Sequence, residues 1–166
     1  EAQMNTAIYE HCPDIPKRLH ARGDEILGHG ITNSDEQGHL DEASEAELIR
    51  TVTETIAKHE GQPPVGWMSP WLSNSEVTLD LLQEAGYRYV MDWTADDQPI
   101  WMKTRQGHIL SMPYPIECND NRALVWYSYT SSEFTDMLVD NFDEMLEQSA
   151  RQPLVCTISL HPFVVG

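Results

Sequence analysis

Short apolar runs alternate along this chain with stretches of helical period. Residues 2–4, 25–28, 65–68, 87–91 and 154–160 read as strands, each brief, apolar and bounded by turn residues. A helix is predicted over 15–21, behind Asp14 and closed by Gly23. The box Ser44-Glu45-Ala46-Glu47 predicts the start of a second helix, which runs to about Lys58 and stops before Gly61. Ser75 caps a third, through Leu79, Leu81, Leu82 and Ala85, with Gly86 as its stop. From Ser132, Phe134, Met137, Leu138, Met145 and Leu146 share one helical face, and the other face is acidic. Residues 100–103 and 108–112 pair as a hairpin around Thr104-Arg105-Gln106-Gly107. Residues 31–41, 92–99 and 113–121 are loops.

This alternation gives an α/β fold class, a parallel sheet or barrel flanked by helices. The strands recur at roughly the spacing of βα units, which take about thirty residues or more each. Only four or five such units fit, whereas a closed (β/α) barrel takes about 250 residues. Either the sheet is open or the chain holds part of a barrel. The pattern begins within a strand and stops at Phe163-Val164-Val165-Gly166, so truncation at both ends is expected.

At 166 residues, with 40% hydrophobic side chains, one domain over 1–166 with a sizeable core is expected. No apolar run is long enough to cross a membrane, and no signal peptide stands at the start. Cys12, Cys118 and Cys156 are odd in number and lack metal-ligand spacing, which fits cytosolic thiols and a cytoplasmic protein. The net charge of −17 repels phosphate backbones and anionic surfaces, so neither nucleic acid nor membrane is an expected partner.

The strand at 25–28 leads into His29, held between Gly28 and Gly30, which let the backbone turn and leave room beside the imidazole. His161 stands in the same position after the run 155–160. Sites on alternating folds are built at the C-terminal ends of strands, so two histidines at equivalent exits predict one shared pocket. A strand-end histidine hydrogen-bonded to backbone is the plainer reading of His161. Trp67, Trp71, Trp93 and Trp101 fall near the proposed exits, where they either wall a pocket for a flat polar ligand or simply pack core and rim. No phosphate-cradling glycine loop and no Gly-x-Ser-x-Gly elbow is present, which argues against nucleotide and serine-hydrolase chemistry.

Four pieces carry a family resemblance in order: RGDEILGHGITNSD, GWMSPWLSNSEVTLDLLQEAGYRYVMDWTADDQPIW, PYPIECNDNR and ISLHPFVVG. The chain resembles the polysaccharide deacetylase family (carbohydrate esterase family 4), nearest its branch of metal-independent allantoinases. The resemblance implies a distorted (β/α)7 barrel, here incomplete, of glycoside hydrolase/deacetylase type. It implies hydrolysis of a carbon–nitrogen amide-type bond in a small-molecule or sugar-amide substrate.

Departures from the family pattern qualify that. The Asp-Asp pair of the first motif does not precede His29. The second motif reads His29-Gly30-Ile31-Thr32-Asn33, so an amide replaces the second imidazole. The third lacks its Arg. The fourth and fifth match Asp92-Trp93 and Leu160-His161. On this resemblance His161 is the proton donor to the leaving nitrogen, and Asp92 orients it. His29, Asn33, Trp67, Trp93 and Asp120 contact substrate. Since zinc wants about three ligands, no resident cofactor is expected. A divalent metal such as zinc on His29 is the alternative. Apolar sheet surface left bare by missing units predicts a homo-oligomer. The competing functional reading is a catalytically inactive fragment or ligand-binding module of the same fold.

Overall fold

The computed structural model describes residues 1–166 and divides into two compact units. The first comprises Glu1–Asp92 with Trp101–Ser111, and the second Trp93–Ile100 with Met112–Gly166.

The first unit is built on an open six-stranded sheet. Its strands are β1 (Ala2–Met4), β2 (Ile26–Gly28), β3 (Gly66–Trp67), β4 (Tyr89–Val90), β5 (Ile100–Lys103) and β6 (His108–Ser111), in the order β1-β2-β3-β4-β6-β5. β1 through β4 and β6 run parallel, with Met4 opposite Gly28, Gly28 opposite Trp67, Trp67 opposite Val90, and Val90 opposite Ser111. β2 and β3 are buried along their whole length, as expected of parallel strands covered on both faces. The predicted hairpin is present, and Thr104 N donates to Gly107 O across its turn.

Helices α1 (Ile8–His11), α2 (Asp14–Arg22), α3 (Glu42–Glu60) and α4 (Thr78–Glu84) connect these strands. From α3, Ile49, Val52 and Ile56 pack with Leu81, Leu82, Trp67, Tyr87, Val90 and Ile109 into one core. Gly28 is required there: a Cβ would sit 2.5 Å from Trp67 Cε3.

The predicted start of α3 moves. Asp41, not Ser44, is the N-cap and accepts from Ser44 N at 3.0 Å. Glu45 of the expected box turns inward instead. Fully buried, its carboxylate accepts from Gln37 Nε2, Thr78 Oγ1 and Ser75 Oγ.

The second unit is less regular. It holds a π-helix (Asn121–Trp126), helix α5 (Ser131–Gln148), opened by a Thr130–Glu133 capping box, and the short helix α6 (Pro162–Val165). The strand expected over 154–160 does not form. That segment makes a single parallel bridge, Ser159 to Asn119, and side-chain bonds replace the ladder. Thr157 Oγ1 donates to Pro113 O, and Ser159 Oγ pairs with the Tyr114 hydroxyl at 2.8 Å. An apolar run with no neighbouring strand has no ladder to join.

Candidate functional site

In the first unit, polar side chains gather where β2, β3 and β4 end. His29 follows β2, and its Nδ1 lies 2.7 Å from Met68 O. A carbonyl only accepts, so Nδ1 carries the proton, and the other ring nitrogen, Nε2, faces Asn33. Asn33 Oδ1 is 3.2 Å from that Nε2. The loop bearing Asn33 is pinned by Trp71, whose Nε1 donates to Asn33 O at 2.7 Å.

After β4, Asp92 is buried. Ser69 N and Ser69 Oγ both donate to it at 2.6 Å, and Trp67 Nε1 donates to the same Oγ at 3.0 Å. Burial pushes the Asp92 carboxyl up to about 6, against the lowering pull of the Ser69 hydrogen bonds.

In the second unit, Asp120 and His161 form a dyad. Asp120 is fully buried. His161 Nδ1 lies 2.6 Å from its Oδ1, and His161 N donates to Oδ2 at 2.6 Å. Asn121 N also donates to Oδ1, at 2.7 Å. Asp120 N in turn donates to Ser159 O, so the carboxylate is fixed from both ends. With Nδ1–H committed to the carboxylate, the other ring nitrogen of this half-buried histidine, Nε2, is left for proton transfer.

Three of the expected site residues have other surroundings in the structure than the sequence suggests. The carboxylate bonded to His161 is that of Asp120, while that of Asp92 accepts from Ser69. Asp120, expected at the substrate, is buried with both oxygens engaged by His161 and Asn121. Trp67 is 0% exposed and belongs to the core, T-shaped against Tyr87 at 5.4 Å. Trp93, in contrast, is 41% exposed. No sequence signal marks Asp120 as the partner of a histidine forty-one residues away. The π-helix and the Tyr114–Ser159 bond were equally hidden.

His29 has the main-chain anchor typical of a metal-binding imidazole. The donor set of this chain nevertheless does not fit zinc. The residue that meets Nε2 is a neutral amide, and no three His, Cys, Asp or Glu side chains converge on one point.

A family model described as polysaccharide deacetylase matches residues 3–90. Among solved structures, Puue allantoinase is 27% identical with a TM-score of 0.81, over 95% of this chain and 52% of that one. A probable polysaccharide deacetylase from Pseudomonas aeruginosa is 29% identical with a TM-score of 0.79, over 94% of this chain and 52% of that one. A family 4 carbohydrate esterase from Streptomyces lividans, solved with acetate, is 12% identical with a TM-score of 0.60, over 97% and 64%, which is a likeness of fold alone. The chain thus spans about half the length of the first two structures. No curated protein matches it.

Proposed function

Because this chain belongs to the polysaccharide deacetylase family, we propose that it forms the proton-transfer part of a hydrolase cleaving a carbon–nitrogen amide-type bond. The observation that carries the reading is the Asp120–His161 dyad. In such hydrolysis water adds to the carbonyl carbon, the C–N bond breaks, and the leaving nitrogen takes up a proton. His161 Nε2 takes up a proton from the adding water and then delivers it to the leaving nitrogen. Asp120 holds the ring in the required tautomer and stabilises the imidazolium while the proton is on it. Asp120 is therefore a positioning residue and His161 the catalytic one.

The substrate candidates follow from the relatives' names: a ureide ring such as allantoin, or an N-acetylated sugar. Within the first unit His29 and Asn33 are proposed ligand contacts, with the imidazole and the Asn33 amide as hydrogen-bonding groups; within the second unit Trp93 is one. The chemistry proposed uses no metal held by this chain, for the reason of donor set given above. His161→Ala is expected to lower turnover of allantoin or of an N-acetylglucosamine oligomer by about 10²-fold or more. Wild-type rates in that variant reject the role.

No helix is long and apolar enough to cross a membrane. A cytoplasmic location is proposed on the three unpaired cysteines. Neither a membrane nor a nucleic acid is a proposed partner, on the charge argument. A homo-oligomer is proposed because α5 exposes Val139, Phe142 and Leu146 along one side. Light scattering across concentration checks this: a mass that stays at 18.9 kDa overturns it.

A further inference from the structure

The second unit carries ten acidic side chains and only two arginines, Arg122 and Arg151. In such a field a guanidinium normally finds a carboxylate. Arg122 does not. It makes no ion pair, and its side chain donates no hydrogen bond within the chain. Its guanidinium instead lies over the Trp126 ring, 4.4 Å from the centroid.

The backbone places this pair beside the dyad. Arg122 is two residues beyond Asp120, in the first turn of the π-helix that Asp120 caps. Tyr127 N donates to Arg122 O, closing the wide turn that brings Trp126 under Arg122. The same π-helix packs against α6, whose N-cap is His161. Wide turns of this kind are rare and occur frequently at functional sites.

We propose that Arg122, laid on Trp126, is an anion-binding subsite for the substrate of the His161–Asp120 dyad. The preferred substrate is then a small amide or ureide that itself carries a carboxylate. This rests on the hydrolase reading and sharpens its substrate class. A guanidinium stacked on indole keeps its planar N–H edges for a ligand and is held in place before the ligand arrives. A carboxylate meets that fork with two parallel hydrogen bonds. In a chain of net charge −17, an anionic substrate needs a local cation of this kind.

The test titrates the protein with ureidoacetate and with its neutral analogue ureidoacetamide, following the Arg122 side-chain Nε–H resonance by NMR. The expected result is a saturating shift with ureidoacetate and an affinity at least about tenfold above that for ureidoacetamide. Arg122→Gln should equalise the two probes, and Trp126→Leu should weaken the preference while the positive charge remains. Equal affinities in the wild type, or a preference that survives Arg122→Gln, overturn the proposal. Tighter binding of ureidoacetamide also overturns it and points to an uncharged ligand on the aromatic face. The two readings fail separately. Hydrolysis of neutral amides that needs His161, without carboxylate preference, removes only the subsite. Carboxylate binding that needs Arg122, without any His161-dependent hydrolysis, removes only the hydrolase reading.

Discussion

The rim of the first unit and the dyad of the second use the same chemistry, a carboxylate accepting from a neighbouring segment, on opposite kinds of scaffold. Asp92 sits at the end of a parallel strand whose position is already set by buried ladders and a packed core. Its bonds to Ser69 add polar satisfaction to a backbone that is fixed without them. Asp120 has no such support. The segments that carry Asp120 and His161 share a single bridge, and the carboxylate itself gathers two main-chain N–H groups and an imidazole. In one place the fold positions the acid; in the other the acid positions the fold.

The largest expected effect removes the support of the first unit. Gly28→Ala drives a methyl into the Trp67 indole, on the β2–β3 ladder, and is expected to cost about 3 kcal/mol or more. Urea unfolding measures it. A variant as stable as the wild type would show that the rim does not depend on the close approach of β2 to Trp67.

Next is Asp120→Ala. Two main-chain donors lose their acceptor, at about 1–3 kcal/mol each. If His161 acts as proposed, turnover falls with stability. Asp120→Asn separates the two effects: it retains an acceptor for one donor but no longer anchors the imidazolium. A loss in kcat larger than the loss in stability, with KM little changed, marks positioning of His161 rather than general scaffolding.

The smallest effect is in Asp92 and its pH dependence. Burial raises its folded pKa to about 6, above the unfolded value of 3.8. The folded state therefore holds this proton more tightly than the unfolded chain. The stability so gained is complete below about pH 4 and is lost as pH rises through about 6. Asp92→Asn has no such titration, so wild type compared with variant should fare better at pH 4 than at pH 7 in urea unfolding. A pH-independent difference would mean that Asp92 is not held protonated.

This contrast explains what could be read from the sequence. The parallel strands, α3 with its Gly61 stop, and the 104–107 hairpin were legible, because local periodicity and turn residues specify them. His29 was legible as a strand exit for the same reason. The cap of α3 lies at Asp41 rather than Ser44 because Ser44 and Glu47 fit the capping-box spacing while Asp41 is the residue that accepts from Ser44 N. The run at 154–160 reads as a strand by composition, yet strand formation needs a neighbour that composition does not reveal. The pairing of His161 was assigned to the aspartate with the more recognisable motif. Asp120 became its partner through contacts between segments far apart in sequence.

Glu45 has a wider consequence. One carboxylate, rooted in the first turn of α3, grips both the 3-10 turn at Gln37–His39 and the start of the segment leading into α4. Two excursions of the chain thereby share a single lock. Loss of that one carboxylate would strip both excursions of their common acceptor at once.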